Sequence, residues 1–427
     1  MNTMVSDRLG AALTSLSKAT VWVTVAVAAP QAATLLANLA VANLLGPEQF
    51  GIYGFAQTTL NAFALIAQLS LGLGATRFLP DWRAREPARA GEFLARAATF
   101  VLAFGLLLAA GFVGMTAIFN GATWAPQSFH GPVLLAFLIA IPLLALGLLQ
   151  NGVFIGLEWF RSYALVSAAT AVFGVALPAV GALLAGVQGA ICALALAILV
   201  RVGAAAATIL RRLSMTGIRL NLQRTGTFMH VVRAFAVPSS IGSFLASLAQ
   251  WLSSLLLLHS SGAAAFGLYA ATLSVRQIVV FVPAQLAGVT LTLMSKRPEP
   301  ELQRQVFRLS VALTAIVAAL ITGVCAIFAE NLLRLFGAGF AVGEGLLLTM
   351  LASAFVESVA VAMYQVLPHR GRMWRSLTFV NIPRDGALLL LAFLAVPRFG
   401  AMGLAVALLA SQVIAVLGIA FASRWRA

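Results

Sequence analysis

The sequence predicts an all-α, polytopic membrane protein of about 12 transmembrane helices, arranged as two parallel-related six-helix bundles around a central cavity. Three observations predict it. Of 427 residues, 61% are hydrophobic and only 9% charged. Apolar runs long enough to cross a bilayer recur from end to end. The second half repeats landmarks of the first at a nearly constant shift.

A soluble domain carries roughly 25% charged residues, so an ordinary wet surface cannot be built from this composition. Mean hydropathy is +1.00. Hydrocarbon cannot hydrogen-bond an open backbone, so spans of about 20 apolar residues must be helical. The net charge of +15 does not indicate nucleic acid, because the basic residues are scattered between apolar runs without an aromatic-interleaved patch. Cys192 and Cys325 lie far apart inside apolar spans and form no metal or redox motif.

At the N-terminus, Arg8 and Lys18 precede an apolar stretch that imitates a signal peptide. The pattern runs on through Pro30 to Leu45, which is too long for a signal core, so it reads as a retained first helix. Residues 1–18 are expected to form a cytoplasmic interfacial segment. A first six-helix lobe at 19–211 is expected to hold spans near 19–44, 53–79, 93–118, 131–156, 162–184 and 187–210. A basic cytoplasmic linker covers 212–230. The second lobe, 231–427, is expected to hold spans near 232–258, 266–294, 306–329, 343–367, 376–397 and 400–422.

Arginine and lysine set the orientation. One series of loops carries Arg83, Arg85, Arg89, Arg96 and Arg161, then Arg211, Arg212, Arg219 and Arg224, then Lys296, Arg297, Arg304, Arg370, Arg372 and Arg375. The alternate loops carry only Arg334 and Arg398. This bias predicts an even number of spans with both termini in the cytoplasm.

The repeat relates the halves. Gly46-Pro47-Glu48-Gln49-Phe50-Gly51-Ile52-Tyr53 returns as Gly262-Ala263-Ala264-Ala265-Phe266-Gly267-Leu268-Tyr269, a shift of 216 residues. Gly72 meets Gly288 and Thr76 meets Thr292 at the same shift. Arg161-Ser162 matches Arg375-Ser376 at a shift of 214, as does Gly186-x-x-Gly189 with Gly400-x-x-Gly403. Six spans per half give both halves the same topology, a plan that encloses a central path. Gly51 and Gly267 are expected in tight outer turns, and Tyr53 and Tyr269 at headgroup depth.

The hairpin Leu44–Tyr53, the run Leu71-Gly72-Leu73-Gly74-Ala75 and the segment Gly156-Leu157-Glu158-Trp159-Phe160-Arg161 resemble the corresponding parts of bacterial polysaccharide flippases. These proteins belong to the multidrug, oligosaccharidyl-lipid and polysaccharide exporter superfamily. The resemblance covers essentially the whole chain. It implies translocation of undecaprenyl-diphosphate-linked oligosaccharide from the cytoplasmic to the periplasmic leaflet by alternating access, for O-antigen, capsule or exopolysaccharide assembly. The implied partners are that lipid-linked cargo, membrane lipids, and polysaccharide polymerase and other assembly proteins.

Ionisable residues within spans are costly and mark a cavity or a partner. Arg276 lies about ten residues, or ~15 Å, into the eighth span. Arg384 and Asp385 lie at similar depth in the eleventh, just after Pro383, and Glu357 in the inner half of the tenth. Arg201 is read as nearer the cytoplasmic end of the sixth span and able to snorkel. At the repeat shifts Leu60 stands in place of Arg276, and Thr170-Ala171 in place of Arg384-Asp385. Two readings stay open: arginines lining the path and gripping a diphosphate or acidic sugar, or two bases and two acids neutralising one another. Gln31, Asn38, Gln57, Asn61 and Gln68 suit either sugar hydroxyls or helix-to-helix hydrogen bonds. Pro30 and Pro238 interrupt the first span of each half and are hinge candidates.

His130, His230, His259 and His369 stand singly near span ends. No Ser/His/Asp set, HExxH or phosphate loop is present, so no enzyme activity, metal or cofactor is expected. Na⁺ or H⁺ coupling stays open. A cation-coupled multidrug exporter of the same superfamily is the main rival. The resemblance implies a buried first-half carboxylate for it, whereas Asp7, Glu48, Asp81, Glu86, Glu92 and Glu158 all fall at loops or span ends. A peptidoglycan lipid-precursor flippase resembles a 14-span plan instead. A membrane glycosyltransferase is expected to carry a long outer loop, and the loops near 119–130 and 330–342 are short.

Overall fold

Helices are the only regular structure among the described residues of the computed structural model, which are 2–118, 126, 129–222, 226–295, 300–364 and 373–424. Among the described residues, eight stretches are long and apolar enough to cross a membrane. Four of the helices, α1 (Asn2–Ala67), α5 (Phe160–Thr216), α7 (Val237–Ser295) and α12 (Ile382–Arg424), are too long for one crossing. Each is interrupted by a glycine at positive φ: Gly46 (74°), Gly186 (58°), Gly262 (81°) and Gly400 (54°). An L-side chain is strained there, so glycine is the residue the turn requires. The interruptions are reversals. Gln57 donates to Asn38 Oδ1 at 3.0 Å and Gln250 to Tyr269 Oη at 3.2 Å, each pair 19 residues apart; straight helix would separate them by about 28 Å. Gly181 packs on Gly189, and Gly403 on Ala395, across the other two turns. Eight stretches divided at four glycines give twelve apolar segments, in agreement with the expected count.

The remaining helices are α2 (Leu71–Arg85), α3 (Pro87–Ile118), α4 (Pro132–Gly156), α6 (Gly226–Val231), α8 (Pro300–Ile327), α9 (Ala329–Arg334), α10 (Glu344–Tyr364) and α11 (Met373–Ser376). Residues 2–18, expected along the interface, continue α1 without a break in helical geometry. Lys296, Arg297, Arg370, Arg372 and His369, and most of the loop at 119–130, lie outside the described residues. The first half is built on α1, α4 and α5, and the second on α7, α10 and α12; α1 also packs along α7, which joins the halves.

That joint is symmetric. A Cβ on Gly51 would overlap the Ala263 carbonyl, and one on Gly267 would overlap the Pro47 carbonyl. Since 47 corresponds to 263 and 51 to 267, the same contact is made twice about a pseudo-two-fold axis. Aromatic rings close around it: Phe55 meets Phe266 edge-on at 5.8 Å, Phe50 meets Phe340 edge-on at 5.7 Å, and Phe63 meets Trp251 at 5.5 Å. Trp251 Nε1 donates to Thr59 Oγ1 at 3.1 Å, so the indole is satisfied inside the cluster. Tyr53 and Tyr269 are fully buried in this packing. Their rings serve the joint between the halves.

Two departures from regular helix distinguish the halves. The second span does not run unbroken over 53–79. Leu69 (φ 43°) and Ser70 (φ 52°) are left-handed, and the chain resumes as α2. Such residues cost of order 1–3 kcal/mol each and persist only where packing dictates them. Here α2 lies backbone to backbone on α4, with Gly152 against Gly72 and Gly156 against Ala75. The equivalent stretch of the second half is continuous helix. That half has its own devices, single π turns at Val232–Ala236 and Leu377–Asn381. Val237 N–H bonds to the Val232 carbonyl and Ile382 N–H to that of Leu377, five residues back. Pro238 and Pro383 follow directly, and the wider turn accommodates the ring that would clash with a carbonyl four residues earlier. Pro30, by contrast, sits within regular helix.

The linker is docked rather than loose. Buried Glu92 on α3 accepts hydrogen bonds from Thr227 N at 2.8 Å, Thr227 Oγ1 at 2.7 Å and Phe228 N at 3.4 Å. Gly91 lies against the Arg219 carbonyl. Arg77 covers the Phe235 ring at 5.0 Å, and Phe78 meets the same ring edge-on at 5.6 Å.

The glycine joint is testable. Gly51→Ala and Gly267→Ala are each expected to lower stability by about 1–3 kcal/mol through overpacking, read as a lower unfolding temperature in detergent. Gly111→Ala and Gly323→Ala, where a Cβ meets open space, are expected to leave it unchanged.

Candidate functional site

A cavity of about 890 Å³ lies between the halves, below the joint. Its walls come from the first two spans of each half, together with α10 and α12. All eight residues expected on a substrate path line it: Gln31, Asn38, Gln57, Asn61, Arg276, Glu357, Arg384 and Asp385. The first half contributes only uncharged polar groups, and every charge comes from the second. Gln68 is not among the lining residues, and Arg201 lies elsewhere, midway along the second segment of α5 with its guanidinium over Gly147. It is half-buried in the bundle, not extended to the membrane surface.

Further lining groups went unrecognised in the sequence: Thr34, Thr58, Ser247, Gln250, Ser274 and Gln277, with Ser411 and Gln412 from α12. The repeat contains the signal that finds most of them. At the shift of 216, Gln31 corresponds to Ser247, Thr34 to Gln250, Thr58 to Ser274 and Asn61 to Gln277. The two halves thus line the cavity with equivalent positions of equivalent helices.

The uncharged wall is knit together. Asn38 takes a hydrogen bond from Gln57 and gives one to Ser274 Oγ at 3.1 Å, bridging the halves at the roof of the cavity. On the charged wall, Arg276 is 5% exposed. Its Nε donates to Ser353 Oγ at 3.0 Å, and its Nη2 pairs with Glu357 Oε2. Ser353 and Glu357 stand one turn apart on α10, so they cradle the guanidinium together. Arg384 grips Asp385 with Nε to Oδ1 at 2.7 Å and Nη2 to Oδ2 at 3.0 Å. Adjacent helical residues do not face one another, so the arginine stem bends back to reach its neighbour. Of the two sequence readings, the mutual ion pairing is therefore present. Each arginine still keeps Nη1 without a hydrogen-bond partner among the described residues. Both arginines border the cavity, so pairing and ligand contact are compatible.

A second pocket of about 530 Å³ lies between α3 and the linker, near Thr99 and Asn221, and has no charged lining. No group of three or more His, Cys, Asp or Glu suited to a metal occurs among the described residues.

The geometry of a helical two-half bundle with a central polar cavity can be set beside known proteins. Residues 16–296 match the family model described as polysaccharide biosynthesis protein, more than half of the chain. The chain belongs to this family. Among solved structures, its fold is similar to the inward-facing conformation of a multidrug resistance MATE family transporter of the MOP superfamily, with TM-score 0.74, 15% identity, and 94% of this chain and 97% of that one covered. It is also similar to a MATE protein in a bent conformation, with TM-score 0.67, 15% identity and coverage of 95% and 94%. A MOP superfamily transporter from Pyrococcus furiosus aligns with TM-score 0.63, 15% identity and coverage of 95% and 93%. No curated protein sequence matches the chain. The fold of this chain is thus the all-helical one shared by those solved structures.

Removing one member of a buried pair strands a charge, whereas removing both does not. Glu357→Ala is expected to cost about 3–5 kcal/mol, and Arg276→Gln/Glu357→Gln together clearly less. Unfolding temperatures of the single and double variants in detergent check this.

Proposed function

We propose that this member of the polysaccharide biosynthesis protein family is a flippase. It moves undecaprenyl-diphosphate-linked oligosaccharide from the cytoplasmic to the periplasmic leaflet, for surface polysaccharide assembly. The observation that carries the reading is the convergence of eight polar and charged side chains from both halves on one cavity. At about 890 Å³ it is sized for a polar headgroup rather than for a whole polyprenyl lipid. The tail remains in the bilayer. Amides of the first half suit sugar hydroxyls, and the open Nη1 groups of Arg276 and Arg384 suit diphosphate oxygens.

Under the positive-inside rule, the arginine-rich ends face the cytoplasm and the glycine joint faces the periplasm. On that orientation the cavity is closed to the outside, the state that receives cargo from within. Outward release then requires the joint to part and the cytoplasmic ends to meet. Na⁺ or H⁺ coupling is not needed to account for the cavity, and polysaccharide polymerase remains the expected downstream partner.

A cation-coupled multidrug exporter is the second reading, favoured by the likeness in fold to MATE structures. The paired, uncharged-to-neutral lining argues for a hydroxyl-rich cargo over a lipophilic cation.

Deletion of the protein in its host is expected to accumulate a lipid-linked oligosaccharide on the cytoplasmic face and to abolish the surface polymer. Arg276→Gln and Arg384→Gln are expected to cut export about tenfold or more, while the Lys variants retain part of it. Unchanged surface polymer without accumulation overturns the assignment. Greater drug sensitivity of the deletion strain in its place supports the exporter.

A further inference from the structure

We propose that Glu357 and Asp385 are specificity determinants that exclude acidic glycans, so that the cargo's sugars carry no carboxylate or other anionic substituent. This rests on the flippase reading and names its substrate class.

The charge balance of the cavity is the starting point. Its described lining holds two arginines and two carboxylates, and each arginine is already matched to an acid. The Nη1 groups of these arginines are the uncommitted cationic donors of the described lining, so a diphosphate that takes them leaves none for a second anion. The diphosphate, common to every cargo of this class, can bond to the open Nη1 groups while the Nε–Nη2 edges stay with Ser353, Glu357 and Asp385. An acidic sugar needs a cation of its own, and none is present on the described lining.

Both acids border the cavity, Glu357 with its side chain 25% exposed and Asp385 nearly buried at 7% beside its partner Arg384. A further anion therefore meets the Glu357 carboxylate directly and the charge of Asp385 through the wall, in a space of low dielectric where like charges repel more strongly than in water. Evicting a carboxylate from its arginine does not help, because the acid is then left buried and unpaired. A sugar hydroxyl is in the opposite position. It donates and accepts at once, and finds acceptors in Glu357 and Asp385 and amides in Gln31, Asn38 and Gln57. Discrimination then comes from penalising the wrong ligand as well as holding the right one.

The test uses the purified full chain in proteoliposomes and two polyprenyl-diphosphate disaccharides, one of two neutral hexoses and one with a hexuronate in the outer position. Initial flipping rates are measured for each. The neutral cargo is expected to move at least about tenfold faster. Glu357→Gln and Asp385→Asn each add one positive charge to the cavity and are expected to bring that ratio down to about threefold or less. The paired variant R384Q/D385N removes a base and an acid together, keeps the balance at zero, and is expected to hold the ratio above about threefold. It also guards against a single variant that fails to fold. Equal or faster movement of the acidic cargo by the wild type overturns the inference and leaves the flippase reading standing. So does a wild-type ratio kept by folded E357Q and D385N. Movement of neither cargo overturns both.

Discussion

Two helix backbones can touch only where no side chain stands between them. Gly51 against Ala263 and Gly267 against Pro47 are the places where the halves meet in this way. The aromatic packing of Phe50, Phe55, Phe266 and Phe340 forms around that approach. So does the hydrogen bond that ties Asn38 to Ser274 at the cavity roof. Because each glycine contact is the symmetry mate of the other, the halves meet as equals at one end. The space beneath is left to whatever polar groups the four flanking spans present.

The halves are equal at the joint and unequal below it. All four cavity charges come from the second half, on α7, α10 and α12. Burying charge in a membrane protein is tolerated only with compensation, and here each base has its acid within hydrogen-bonding distance. The irregular backbone is divided too. The first half carries the left-handed break at Leu69–Ser70, and the second carries two π turns ahead of prolines. Arg384 and Asp385 directly follow one of those prolines, so the charged wall stands on a helix already widened at its base.

Much of this was legible in the sequence because it rests on local or periodic features. Apolar length gave the spans, and the recurrence of Gly46 to Tyr53 at Gly262 to Tyr269 gave the repeat. The candidate residues were legible because polar groups in apolar runs are conspicuous. What escaped depends on contacts between distant residues. The role of Tyr53 and Tyr269 follows from burial against the opposite half, which no local pattern reveals. The break at Leu69–Ser70 follows from the docking of Gly72 on Gly152, eighty residues away in sequence. Arg201 reads as a surface arginine if its helix ends near 210, whereas the helix continues to Thr216. Ser353 carried no signal of its own, since a serine in a span is ordinary until its partner Arg276 is placed beside it.

Glu92 offers a last consequence. Its carboxylate holds Thr227 and Phe228, and with Gly91, Arg77 and Phe78 it keeps Arg219, Thr227, Phe228 and Phe235 seated on the first half. The join between the halves is thus not the charged stretch that looks like a spacer. It is the single widened turn at Val232–Ala236, just ahead of Pro238. Chain added between Thr227 and Phe235 has to displace packed backbone, so this stretch behaves as a fitted part rather than as a tether.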